Sequence, residues 1–194
     1  MDENFDSLHG KHVLVAATGC IGSMFLPNWI SWLRATLPET RLEVVVTRSA
    51  LKFVTRESIR PFLGKDAIVD SWHEESHPHP HIDFTHGIDA YLVHPASMNF
   101  VSRLSSGACD TPLLLGLQGT RKPVVIGASA PPEFVKGHMW PEYSSKLEAR
   151  PNVRLLSPVE GASAIRDDAA GSPPPLFVDA VSVLASVCEE LADE

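Results

Sequence analysis

Four short segments hold the residues best suited to chemistry in this chain. TGCIGS, at 18–23, sets two glycines between hydroxyl residues, ahead of an apolar helical pattern. Backbone N–H groups in such a turn can cradle a phosphate without a basic side chain, with Gly19, Cys20 and Ile21 at the point of closest approach. The segment matches neither G-x-G-x-x-G nor the Walker pattern, and an ordinary strand–helix turn has the same composition. TRSALKF, at 47–53, offers the hydroxyls of Thr47 and Ser49 to a polyol or phosphate, although Ser49 is equally suited to cap a helix. HPASMNF, at 94–100, contains a stiff small-residue turn at Pro95, Ala96 and Ser97 that lets a flat ring approach the backbone. Met98 and Asn99 then project from the first turn of a helix, and Asn99 brings both a donor and an acceptor. Finally, His81 opens the semi-apolar HIDF, where a histidine at a pocket rim can serve as a base near neutral pH.

The other histidines nearby are His73, His77, His79 and His86. Because His77, His79 and His81 alternate with prolines, an extended solvated loop is expected here and no metal site.

These segments need a scaffold. Residues 12–18, 42–47, 90–96, 122–128 and 152–158 are short, Val-rich apolar runs that read as buried strands. Helical patterns follow at 23–37 (with Pro27 in its first turn), from Ala50 (interrupted at Pro61), and from Ser97 to a stop at Gly107. Others open at Asp110 and run over 176–191. Buried strands alternating with helices predict an α/β fold, a parallel sheet with helices on both faces. Ligands bind such sheets at the carboxyl ends of the strands, where all the segments above fall. A single domain is expected over 1–194, with a polar tail at 1–11 and a flexible connector or clamp at 159–175.

Composition removes several function classes. The formal net charge of -8 argues against a nucleic-acid partner, which needs clustered Lys and Arg. No apolar run approaches the length of a membrane span, so no membrane association is expected. Cys20, Cys109 and Cys188 are odd in number and widely spaced, which fits neither a disulfide framework nor a zinc site, and suits a reducing cytoplasm. The N-terminus is polar and acidic, unlike a signal or transit peptide.

Taken together, the segments resemble the homo-oligomeric flavin-containing cysteine decarboxylases. That family includes the lantibiotic peptidyl-cysteine and the phosphopantothenoylcysteine decarboxylases, and the likeness runs from about residue 12 to 158. Its Pro-Ala-Ser-Ala-Asn-Thr motif reads PASMNF at 95–100, its His-Ile/Val reads His81–Ile82, and its Asn-Gly-x-x-Asp segment is matched by Ser106, Gly107 and Asp110. A further motif, Pro-x-Met-Asn-x-x-Met-Trp, is altered: Met139 and Trp140 keep its ending, while the Met-Asn pair is missing. In the family that Asn helps hold the substrate carboxylate; Lys136, His138 or a backbone amide is left to replace it.

The resemblance implies a flavodoxin-like (Rossmann-like) three-layer fold, FMN or alternatively FAD as cofactor, and a homotrimer or homododecamer. It implies that Gly19, Cys20, Ile21, Thr47, Ser49, Phe53, Pro95, Ala96, Ser97, Met98, Ala128 and Ser129 hold the flavin. Asn99, Lys136, Met139 and Trp140 would contact the substrate, and His81 and Asn99 would be catalytic. The implied reaction is oxidative decarboxylation of a C-terminal cysteine. Hydride loss from Cβ of the thiolate to a flavin gives a thioaldehyde, an electron sink from which carbon dioxide departs to leave an enethiolate. Pantetheine-forming members reduce that product with an extra cysteine downstream of Met-Trp, and here the stretch 140–187 has none. The product is therefore expected to remain an enethiol, and the partner to be a ribosomally made precursor peptide, as for an aminovinyl-cysteine ring of a lanthipeptide. The alternatives are phosphopantothenoylcysteine decarboxylase, a flavin prenyltransferase (which needs basic residues that GASAPPEF lacks) and a flavin-binding regulatory subunit that inhibits a phosphatase.

Overall fold

Six apolar runs pair into one all-parallel sheet in the computed structural model, which describes residues 5–73, 80–162, 170–171 and 173–192. The strands are β1 (His12–Ala17), β2 (Arg41–Thr47), β3 (Ile68–Asp70), β4 (Ala90–Ser97), β5 (Val124–Ser129) and β6 (Val153–Leu156), in the order β3-β2-β1-β4-β5-β6. The helices are α1 (Leu26–Thr36), α2 (Arg56–Leu63), α3 (Pro80–Asp83), α4 (Met98–Ser105), α5 (Pro112–Gly119), α6 (Pro132–Val135), α7 (Met139–Glu148) and α8 (Phe177–Glu190). A short antiparallel pair, β7 (Gly161–Ala162) and β8 (Ala170–Gly171), precedes α8.

Strand alternation divides the core in two. Val13, Val15 and Ala17 of β1 point toward α1, α2 and α8, whereas Leu14 and Ala16 point toward α4, α5 and α7. Both faces of the sheet are covered, which is why its central strands read as near-continuous apolar runs and do not alternate. The result is the three-layer flavodoxin-like α/β sandwich expected from the sequence.

Several local readings are corrected. β3 is a sixth strand whose two apolar residues were too few to announce it; it exists because Ile68 and Val69 pair with Val45 and Val46. No continuous helix runs from Ala50. A single 3-10 turn ends at Lys52, and α2 restarts where the Thr55 hydroxyl accepts from Ser58 N at 3.1 Å. Pro61 does not end α2, which runs on to Leu63 and stops at Gly64, whose φ of 80° suits glycine. α5 is capped by Thr111, which accepts from Leu114 N, while Asp110 is drawn into an ion pair with Arg103 at 2.5 Å. α7 tolerates Pro141 because it lies in the first turn, where no intrahelical N–H is needed.

The supposed polar tail is also different. A 3-10 turn at Asp6–Leu8 docks on α8: Ser7 Oγ donates to Ala185 O at 2.8 Å, and Phe5 meets Trp32 edge-on at 5.7 Å. Leu8 is only 1% exposed. The connector expected at 159–175 holds the β7–β8 pair, and Val159 N donates to Pro173 O at 3.0 Å. Residues 163–169 and 172, and His77 and His79 of the expected solvated loop, lie outside the described residues. Among the described residues no helix is long and apolar enough to cross a membrane.

Leu8→Ala should lower unfolding free energy by about 2–5 kcal/mol, the range for truncating a fully buried leucine. Denaturant unfolding checks this, and a value near zero would restore the reading of a solvated tail.

Candidate functional site

The strand order reverses between β1 and β4, whose crossovers leave on opposite faces of the sheet. A crevice must open at their carboxyl ends. It is present as a cavity of about 870 Å³. Gly19, Cys20, Ile21 and Gly22 line it from the loop after β1, Ser97, Met98 and Asn99 from the β4–α4 junction, and residues 129–132 from the end of β5. Trp29 of α1 and residues 173–177 close the remaining side. Among the described residues, none that line it carries a formal charge.

Local packing explains these positions. Gly19 lies so close to the loop after β2 that a Cβ there would stand 2.6 Å from Ser49 Cβ. Ser97 caps α4, its hydroxyl accepting from Phe100 N, and this orients Asn99 on the first turn. Ser97 and Ser129 are register partners across β4 and β5, so two hydroxyls share one rim. Cys20 is buried beside the Thr18 hydroxyl, and burial pushes its thiol pKa up, opposed by hydrogen bonds to Thr18 and Ser129. A thiol held protonated in this way is a poor nucleophile.

Of the residues singled out in the sequence, Gly19, Cys20, Ile21, Ser97, Met98, Asn99 and Ser129 come together at this cavity. Pro95, Ala96 and Ala128 are buried beneath it. Thr47, Ser49 and Phe53 are not among its lining residues. The Thr47 hydroxyl is taken by Ala50 N at 3.2 Å, and Ser49 acts as the stop against which Gly19 packs. Trp140 is 7% exposed and belongs to the core under α7, which makes it a packing residue of this chain and not a cavity contact. Lys136 and Met139 also lie off the cavity lining, Lys136 on an exposed turn after α6.

His81 is separate as well. It sits on α3, its ring 5.6 Å from that of Trp72, with Nδ1 buried and unpartnered. Trp72 is anchored by its Nε1, which donates to Asp110 O at 2.9 Å. Among the described residues, no cluster of three or more His, Cys, Asp or Glu could hold a metal.

The aromatic wall escaped the sequence reading. Trp29 and Phe177 stack with centroids 5.0 Å apart and planes 3° from parallel. His94 meets Trp29 at 4.8 Å and Phe177 at 5.3 Å, both edge-on. Gly127 on the neighbouring strand makes room for it, since a Cβ there would lie 2.2 Å from His94 Nδ1. His94 has no exposure and no partner for either ring nitrogen, and burial lowers its pKa to about 4. Its place inside an apparent strand gave no signal of this environment.

A switch-point crevice with flat apolar walls, serine hydroxyls at its rim and glycine-lined backbone at one end defines an α/β protein built to hold a flavin-type ligand. The lining fits such a group: it offers apolar surface for rings, and hydroxyls and backbone that would meet a polar chain. The chain belongs to the Flavoprotein family, whose model matches residues 1–183. It is 33% identical over 165 residues to a cypemycin cysteine dehydrogenase (decarboxylating) of Streptomyces sp, covering 83% of this chain and 84% of that one. The crystal structure of the cypemycin decarboxylase CypD superposes with a TM-score of 0.77 at 27% identity, over 94% of this chain and 96% of that one. The FMN-dependent cysteine decarboxylase SpaF, at 18% identity, shares the fold with a TM-score of 0.78 over 94% of this chain and 99% of its own.

Burial of neutral His94 has a pH signature. Its pKa falls from 6.5 to about 4 on folding, so between those values the unfolded chain binds more protons than the folded one. Its contribution is fully present above pH 6.5 and falls away as pH drops toward 4, about 3 kcal/mol in all. Unfolding measured across that window should show a flatter pH dependence in His94→Leu than in the wild type. Equal slopes would contradict the buried, unpartnered ring.

Proposed function

We propose that this protein is a flavin-dependent decarboxylase of the C-terminal cysteine of a ribosomally made precursor peptide, with FMN as the cofactor. The observation that carries this reading is the placement of PASMNF: Ser97, Met98 and Asn99 lie on the switch-point cavity, together with the Gly19–Ile21 turn. The similarity to the cypemycin enzyme supports the same reaction type.

A bound flavin supplies the two-electron acceptor without which loss of carbon dioxide from cysteine would leave an unstabilised carbanion. The chain's own residues bind and orient. Ser97, Ser129 and the backbone of the loop after β1 meet the polar chain of the cofactor, and the Trp29–Phe177 wall excludes water. The Asn99 amide, fixed at the start of α4, orients the peptide's carboxylate or last amide. His81 takes the proton from the substrate sulfur; its own chain encloses Nδ1, so Nε2 is the nitrogen assigned that proton. Because His81 lies off the cavity of its own chain, this reading requires a homo-oligomer, a trimer or a dodecamer of trimers, in which one copy's His81 serves the next copy's cavity. Lys136, on its exposed turn, remains the candidate cation for the carboxylate.

The other flavin chemistries fit less well. Cys188 is buried in α8, and burial raises its thiol pKa to about 11, so it is a core residue and no reductant for an enethiol product. That favours an enethiol end product and a peptide substrate destined for an aminovinyl-cysteine ring, made in the cytoplasm. A prenyl phosphate would call for cationic side chains, and among the described residues the cavity lining has none.

Two outcomes test the reading. A peptide ending in free cysteine should lose carbon dioxide and two hydrogens by mass spectrometry, and the same peptide with a C-terminal amide should be untouched. Loss of mass from neither peptide, across several sequences, would overturn the assignment. His81→Asn should bind FMN as tightly as the wild type while turnover falls by about 10²-fold or more, the usual contribution of a general base. Full activity in that variant would remove His81 from the mechanism.

A further inference from the structure

We propose that Thr18 is a positioning residue whose buried hydroxyl holds the two halves of the cavity in register. The inference rests on the reading of that cavity as the flavin site. Register pairing between β1 and β4 runs only as far as Ala16 and Val93, and β4 shifts its register against β5 before Ala96. Pro95 has no N–H with which to continue a ladder. Thr18 takes over at this place.

Thr18 is 1% exposed. Its backbone N donates to Pro95 O at 3.1 Å, and its Oγ1 donates to the same carbonyl at 2.9 Å. The same Oγ1 accepts from Ser97 N at 2.7 Å. On the other side, Thr18 O accepts from Cys20 N at 2.7 Å and from Ser23 Oγ at 2.6 Å. One residue therefore shapes the Gly19–Ile21 turn through its carbonyl and pins the PASMNF turn through its hydroxyl. Ser97, whose N–H it receives, is the cap of α4, from which Met98 and Asn99 reach the cavity. The hydroxyl must donate and accept at once. Serine can do both, cysteine does both weakly, and valine, with nearly the same shape, does neither. Valine would leave the half-buried Ser97 N–H without this partner.

The test is a series, Thr18→Ser, Thr18→Cys and Thr18→Val, beside Thr40→Val as a control. Thr40 is 9% exposed and donates to Leu8 O at 2.8 Å, at the far end of the sheet. FMN affinity is measured by fluorescence titration, and hydrogen exchange is followed in the peptide containing Ser97 in the flavin-free protein. Thr18→Ser should bind FMN nearly as the wild type does. Thr18→Val should bind about ten- to a hundredfold more weakly and exchange faster at Ser97. Thr18→Cys should fall between them, and the serine–cysteine difference decides the matter if the valine variant does not fold. Thr40→Val should lose thermal stability and keep its FMN affinity. Equal affinity and exchange across the Thr18 series would overturn the proposal. If the wild type itself took up no FMN, the flavin reading would fall, and exchange at Ser97 alone would still decide the role of Thr18.

Discussion

β1 and β4 are neighbours in the sheet, yet their chains must part at the carboxyl end because their crossovers run to opposite faces. This parting is the constraint from which the rest follows. It opens the crevice, and it places the turns after β1, β4 and β5 around one space. It also obliges the chain to keep that space open without unpaired backbone. The sheet provides rigidity, through two apolar cores, one packed on each of its faces. Close approaches do the local work. Gly19 must be glycine to pass Ser49, and Gly127 must be glycine to admit His94. A side chain at either place would move a cavity wall.

The electrostatic design follows from the same geometry. The chain carries a net charge of -8, yet its charged groups are spent on the surface, in pairs such as Lys65–Glu43 and Arg154–Glu190. Exposed pairs of this kind contribute little to stability. The cavity relies on hydroxyls, backbone and rings, so a ligand there is recognised by shape and by neutral hydrogen bonds. An anionic carboxylate at its mouth needs a cation from beyond the lining, which is why Lys136 keeps its interest although it stands off the cavity.

Much of this was legible in the sequence. Five of the six sheet strands announced themselves as apolar, Val-containing runs, because strands covered on both faces read as near-continuous apolar stretches. The turn residues of PASMNF and TGCIGS were legible too, since small residues and glycines at strand ends leave few other uses. What escaped depended on contacts distant in sequence. β3 is held by its pairing with β2, not by its own three residues. Phe5 and Leu8 sit in an acidic stretch whose average polarity hides two core side chains. The burial of His94 is set by Gly127, Trp29 and Phe177, none of them near it in the chain. His81 was recognised by type, but its distance from the cavity of its own chain comes from the placement of α3, which periodicity does not report. Thr47 and Ser49 offer hydroxyls that could meet a ligand and also shape the loop after β2, two uses that composition does not separate.

The central claim is that a flavin in this cavity takes electrons from a C-terminal cysteine. The most direct measurement is the visible spectrum of the FMN-loaded protein under anaerobic conditions, before and after a peptide ending in free cysteine is added. Bleaching of the flavin bands, reversed by oxygen, is the predicted result. Bands that persist unchanged across several such peptides would contradict the account.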